Sequence, residues 1–430
     1  MQKIYNPKRE DWAQLLERPT QTFTDIEETV KTVFKDIDLN GDQAIEKYTN
    51  KFDGVRIKNS LVSMEEIEEA IQLVPQDLKE AIALAKKNIE KFHKSQITVS
   101  KKVETSEGVI CWQEKKAIQK VGLYIPGGTA PLFSTILMLA IPAKIAGCQK
   151  VILCSPPNKE GKIHPAILYA ANLCGIENIY KIGGIQAIAA MTFGTKTVPK
   201  VYKIFGPGNQ YVTVAKQVAQ QYGIAIDMPA GPSELLVVTD DTAKIDFVAS
   251  DLLSQAEHGK DSQVILVSTS KDMMEQVEKE VEKQLEDLER KEIARVAISF
   301  SKLIYCKTDQ LAIDLINEYA PEHFIICAKN EDFYIQNVQN VGSAFIGNYT
   351  PESAGDYASG TNHTLPTNAY AKNYNGINLD SFLRAVSFQK ISKKGIQNIG
   401  SAIEIMAEAE GLQAHKNAVS LRLKSIADEN

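Results

Sequence analysis

No Cys-x-x-Cys pair, no G-x-G-x-x-G, no block of Lys and Arg and no long apolar run occurs in these 430 residues. Each absence removes a class. The longest apolar stretch, LFSTILMLAIPAKIAG, is broken by Pro142 and Lys144 and falls short of the roughly 20 residues a membrane helix needs. The first 19 residues, MQKIYNPKREDWAQLLERP, are charged and lack the apolar core of a signal peptide. A cytoplasmic protein without a membrane partner is expected. Net charge is −6 and no basic stripe stands out, so no nucleic-acid partner is expected. Cys111, Cys148, Cys154, Cys174, Cys306 and Cys327 sit mostly in apolar runs, as reduced, small buried residues do. A catalytic thiol would fall on Cys111 or Cys148, and neither has a His close by in sequence.

What is present is ordinary globular composition, 44% hydrophobic and 24% charged, on a chain long enough for two or more domains. Residues 1–22 read as an N-terminal arm with a short helix. Residues 23–110 carry apolar positions at helical spacing, as in DIEETVKTVFKDID and QDLKEAIALAKKNIEKFHKS. From about residue 110 short apolar strands alternate with helices, and the strand ends carry Gly and Pro. That pattern predicts an α/β fold with parallel, doubly wound sheets. The alternation resumes at about 235 as a second unit. The expected division is 23–110 with 235–378 as a discontinuous α/β domain, 111–234 as a second, and 379–430 as a helical tail. Two incomplete Rossmann-like domains would then face a cleft.

Three loops, IPGGTAP (125–131), IGGIQAIA (182–189) and FGPGNQY (205–211), each follow a predicted strand and open a helix. Free N–H groups behind such turns favour phosphate. Turn chemistry alone accounts for any single loop, whereas three in one domain point to a binding site. Of six histidines, His258, His323, His363 and His415 lie after residue 250 in polar or Gly-rich settings. Gln255 and His258 are three apart at a helix end before Gly259, so they would share a face. PESAGDYASGTNHTLP adds Asp356 and His363, and AEAEGLQAHKNAV adds Glu410 and His415. Imidazole, amide and carboxylate together suit a metal, but spacing alone leaves capping or surface roles open. Glu322 and His323 adjoin at the mouth of a predicted strand, a place for proton transfer or for an exposed turn.

The segments GLYIPGG, PAKIAGC, FGPGN, IDMPAGPSE, DLLSQAEHG, PEH, TPESAGDYASGTNH and AHKNAV together resemble the L-histidinol dehydrogenase family, from about residue 120 to 421. The resemblance implies two NAD-dependent oxidations of L-histidinol, through histidinal, to histidine. It implies one zinc per subunit on Gln255, His258, Asp356 and His415, positioning substrate without carrying the redox step. It further implies His323 as general base, Glu322 as activator of water, and Ser233, His363 and Glu410 as substrate contacts beside the metal ligands and His323. NAD contacts fall on Tyr124, Gln186 and Asn209, on the three Gly-containing loops of the 111–234 domain. An intertwined homodimer, with Glu410 and His415 serving the neighbouring subunit, completes the expectation. Competing readings are a zinc hydrolase using Glu322, a non-catalytic metabolite-binding protein, and a thiol mechanism on Cys111 or Cys148.

Overall fold

Runs of Val, Ile and Leu such as VILCS, ELLVVT and HFIIC are buried on both faces, and parallel strands of this kind need cover on both sides. The computed structural model describes residues 1–19, 24–127, 131–229 and 231–429. Residues 20–22 of the expected arm, 128–130 of the IPGGTAP loop and 430 of the tail lie outside the described residues. In chain order the strands are β1 (Gln2–Tyr5), β2 (Val103–Ser106), β3 (Val109–Ala117), β4 (Lys120–Tyr124), β5 (Lys150–Ser155), β6 (Asn178–Lys181) and β7 (Lys203–Phe205). They continue with β8 (Ala225–Ile226), β9 (Glu234–Thr239), β10 (Gln263–Ser268), β11 (Lys302–Tyr305), β12 (His323–Cys327), β13 (Ser343–Ile346) and β14 (Leu383–Ile391).

The chain forms two compact units, one of residues 1–96 with 118–382 and one of residues 97–117 with 383–430. The first unit holds two parallel sheets. One has the order β1-β11-β10-β9-β12-β13 and the other β6-β5-β4-β7-β8. In the first sheet the order reverses between β9 and β12, and in the second between β4 and β7. Such reversals leave a crevice at the strand ends. The second unit holds the antiparallel sheet β14-β3-β2 and two helices, Lys393–Ala409 and Gln413–Asp428, packed on each other.

Three expectations change. The N-terminal arm is not purely helical, because Gln2–Tyr5 adds a parallel edge strand beside β11. The helices of residues 24–94 pack chiefly on helices of the 111–234 region rather than on the 235–378 region, although Asn88 donates to the Ala358 carbonyl at 2.8 Å and His93 lies 3.3 Å from Asn362. Thr24–Asn40 and Asp42–Phe52 pack on helices Gly184–Phe193 and Gln210–Gln221, while Met64–Leu73 and Gln76–Lys94 pack on Pro165–Leu173 and Phe133–Ala146. They therefore cover the five-stranded sheet. The tail is not wholly helical either, since Leu383–Ile391 pairs with Val109–Ala117, and that strand belongs to the second unit rather than to the 111–234 domain.

Helix Phe133–Ala146 absorbs the longest apolar stretch. It is buried from Ser134 through Ala143, so its all-round hydrophobicity belongs to the core. Among the described residues no helix is long and apolar enough to cross a membrane.

Candidate active site

A helix that follows a parallel strand returns against it, so its C-terminal end comes back to the amino edge of the sheet. Helix Ile245–Ala256 does this after β9 and delivers Gln255, fully buried, to that edge. His258 lies two residues beyond the helix end and is exposed, and both it and the Gln255 amide reach Glu352. The helix stops at Glu257 in ordinary right-handed backbone, and Gly259, two residues on, has no positive φ.

Along the same edge, β9 starts at Glu234 and β12 at His323. Glu322 and His323 thus sit at the amino ends of the six-stranded sheet, not at the carboxyl ends where open α/β sites are usually found. The carboxyl ends of the five-stranded sheet face the same space. A cavity of about 590 Å³ is lined by Pro126 after β4, Gly206–Asn209 after β7, and Ser233, His258, Glu322 and His363.

The His323 ring is 5% exposed. Its Nδ1 lies 3.2 Å from the Glu234 carbonyl, which can only accept, so Nδ1 carries the proton. Nε2 is then the lone-pair nitrogen. It is buried without a hydrogen-bond partner, 3.7 Å from Asp356 Oδ1. Burial pushes the His323 pKa down to about 4, so the ring is neutral near pH 7. Glu322 Oε2 accepts from the Glu234 N–H at 3.0 Å. Burial holds the Glu322 carboxyl well above its ordinary range against that N–H, and the Glu234 and Asp356 charges add to the rise.

Helix Glu352–Tyr357 places Glu352 and Asp356 four residues apart on one face. Ligand atoms of His258, Glu352 and Asp356 lie within 4.8 Å of one another. Oriented to satisfy its neighbours, the Gln255 NH₂ donates to Glu352 Oε1 at 2.5 Å and Oε2 at 3.2 Å; it also lies 3.2 Å from His323 Nδ1, which does not accept from it when its own proton is directed to the Glu234 carbonyl. The amide oxygen is then the Gln255 atom left for a cation. Burial raises Glu352 well above its ordinary value, with the charges of Asp356, Glu322 and Asp251 adding to it. Among the described residues only histidines pair with Glu322, Glu352 and Asp356. Carboxylates so crowded and uncompensated suit a bound cation, and a donor set of imidazole, carboxylate and amide oxygen suits Zn²⁺.

His363 is fixed at both nitrogens. Nδ1 donates to the Asp356 carbonyl at 2.9 Å and Nε2 lies 3.1 Å from Thr135 Oγ1, which donates to it. Ser233 lines the cavity close by. Glu410 caps helix Lys393–Ala409 and His415 lies in Gln413–Asp428; both are exposed and belong to the second unit.

The three residues expected at NAD lie at the carboxyl edge of the five-stranded sheet. Tyr124 ends β4, and its hydroxyl accepts from the Gly184 N–H at 3.1 Å. Gln186 is buried in helix Gly184–Phe193 and donates to Asp53 Oδ2 at 2.9 Å. Asn209 caps helix Gln210–Gln221, accepting from the Val212 N–H at 3.1 Å. The turn before Asn209 is tight. Gly206 has φ +131°, and a Cβ there would sit 2.0 Å from the Tyr124 carbonyl oxygen.

Glu352, Asp53, Thr135 and Glu234 stand at the site without a motif of their own in the sequence. The four-residue spacing to Asp356 was a readable signal for Glu352. The others meet the site only through the fold. The thiols stay bland: all six are free, and burial pushes Cys148 up to about 11 and Cys174, Cys306 and Cys327 up to about 12.

A family model described as histidinol dehydrogenase matches residues 16–423. The histidinol dehydrogenase of Bacteroides thetaiotaomicron is 56% identical over 426 residues, covering 99% of this chain and 100% of that one. That of Escherichia coli K12 is 50% identical over 423 residues, covering 98% and 96%. The crystal structure of histidinol dehydrogenase from Elizabethkingia anophelis superposes with a TM-score of 0.98 at 56% identity, covering 99% of both chains.

Proposed function

Because the chain belongs to the histidinol dehydrogenase family, we propose that it carries out two successive NAD-dependent oxidations, L-histidinol to L-histidinal and L-histidinal to L-histidine, the last steps of histidine biosynthesis. The observation that carries the chemistry is the unpartnered Nε2 of His323, a buried neutral imidazole beside Glu322 and the His258–Glu352–Asp356 group.

In the first oxidation His323 Nε2 takes the hydroxyl proton of histidinol as the hydride leaves its carbinol carbon. The Nδ1–H bond to Glu234 fixes the tautomer that makes this possible. In the second, Glu322 takes a proton from the water that adds to the aldehyde carbon, and the hydride of the hydrate leaves. A carboxyl raised by burial is the stronger base for that step. Each oxidation releases one proton and one hydride, so two NAD are consumed per histidine formed. NAD, held near Tyr124, Gln186 and Asn209, supplies the hydride acceptor. Zinc, held by Gln255, His258 and Asp356 with His415, supplies a Lewis-acid anchor for the amine and imidazole nitrogens of the substrate. Ser233, His363 and Glu410 complete the substrate contacts.

The proposed assembly is a homodimer in which Glu410 and His415 come from the partner subunit, and the proposed location is the cytoplasm. The Rossmann-like character of the two sheets is part of the same reading, supported by the order reversals at β4/β7 and β9/β12. The deciding experiment is NADH formation from histidinol with zinc-loaded protein, repeated after chelation and after zinc is restored. Two NADH per histidinol, lost on chelation and recovered with zinc, is the expected outcome. No NADH with zinc present ends the proposal.

A further inference from the structure

Both proposed catalytic side chains are held by one residue that does not itself face the substrate. Glu234 opens β9. Its N–H donates to Glu322 Oε2 at 3.0 Å and its carbonyl accepts from His323 Nδ1 at 3.2 Å. The two peptide groups of a strand's first residue have less ladder to hold them than those in its middle. The Glu234 side chain supplies the missing anchor. It is 2% exposed and is gripped at two points by Arg18, with Nε donating to Oε1 at 2.5 Å and Nη2 to Oε2 at 2.9 Å. The Asn368 N–H donates to Oε1 at 2.7 Å.

Arg18 is itself fixed. Nη2 also donates to the Tyr319 carbonyl at 2.6 Å, and the guanidinium lies 4.1 Å from the centre of the Tyr319 ring. The Tyr319 hydroxyl in turn donates to buried Gln263 Oε1 at 2.9 Å, on the strand next to β9. A buried ion pair is a weak source of net stability, because desolvation offsets much of its attraction. What a two-point fork adds is direction. We propose that Arg18 is a positioning residue: by clamping Glu234 it sets the main-chain groups that aim Glu322 and His323.

The proposal rests on the reading of Glu322 and His323 as the proton-transfer pair. The clamp can be reached from outside. A cavity of about 930 Å³ is lined by Arg18, Glu17, Gln263, Phe300 and Lys302, so truncation at Arg18 leaves a hole that a small cation can enter.

The test is steady-state kinetics on zinc-loaded full-length protein. Arg18→Ala is expected to lower kcat roughly 10- to 100-fold, as small misplacements of reacting groups do, with KM for histidinol and NAD changed less than about threefold. Methylguanidinium at non-denaturing concentration is expected to restore part of kcat in that variant and to leave the wild type alone. Arg18→Lys, which keeps charge but loses the fork, is expected to fall between the two. A folded Arg18→Ala with wild-type kcat, with its whole loss in KM, or with no methylguanidinium rescue overturns the proposal. If Arg18→Ala does not fold, the near-isosteric Glu234→Gln decides: lowered kcat supports the clamp, and wild-type kcat overturns it. His323→Asn in the same assay separates the two claims. If it keeps wild-type kcat, the catalytic reading fails on its own account.

Discussion

His323 has two ring nitrogens in different surroundings, and that asymmetry decides what removing the ring would do. Nδ1 is committed to the Glu234 carbonyl and Nε2 has no partner. His323→Asn is expected to lower kcat by about 10²–10⁴, the range for a general base, while zinc per subunit stays at the wild-type value. Loss of zinc together with rate would make the ring a ligand instead. Glu322→Gln keeps an oxygen for the Glu234 N–H but cannot take a proton from water. The first oxidation should survive and the second should fail, so a carbonyl-trapping reagent should capture aldehyde in proportion to NADH; complete loss of the first NADH would contradict the division of labour. Asp53 offers a pH test. Burial lifts its carboxyl from 3.8 to about 6, against the hydrogen bond from Gln186. The folded state therefore holds this proton more tightly than the unfolded chain does. The resulting stabilisation is complete below the unfolded pKa and is lost as pH rises through about 6. Asp53→Asn does not titrate, so its melting temperature should gain on the wild type between about pH 4 and pH 7 and match it below. A constant difference across that window would show that Asp53 is not ionising under strain.

The elements that could be read ahead are those whose burial leaves a one-dimensional trace. β5, β9, β10 and β12 are nearly unbroken apolar runs because both their faces are covered. β1 and β14 left little trace. β1 is a four-residue edge strand, and β14 is antiparallel and largely exposed, so charge and amide interrupt its apolar residues. The mouth of the strand on which the pair sits was legible, but not that this amino edge is a working one, because a strand's first residue looks the same in sequence at an empty edge. Gln255, His258 and Asp356 could be gathered by resemblance. Arg18 and Glu234 are 216 positions apart and carry no motif. The glycine loops were legible, and one is required sterically. Gly206→Ala would push a Cβ against the Tyr124 carbonyl oxygen, whereas Gly147→Ala, at φ +85°, meets nothing within 4 Å. Gly206→Ala should therefore cost about 3 kcal/mol or more and Gly147→Ala only about 1 kcal/mol. Thermal unfolding of the two variants compares them directly, and equal shifts would remove the steric argument for the loop.

At the scale of the whole molecule the proposed homodimer, with His415 given to the neighbouring site, makes a prediction of its own. His323 belongs to the first compact unit and His415 to the second. If the tail serves the neighbouring subunit, His323→Asn and His415→Ala homodimers are both inactive, for different reasons. Mixed dimers are another matter. One of their two sites combines an intact body with the intact tail of the His323→Asn subunit, while the other carries both lesions. Equal amounts of the two variants, unfolded and reassembled at random, should recover about a quarter of wild-type activity, since half the dimers are mixed and each has one complete site. If each tail serves its own body, every site in every dimer carries one lesion and nothing is recovered. Activity near a quarter therefore requires both a dimer and an exchanged tail, and no arrangement of independent monomers reproduces it.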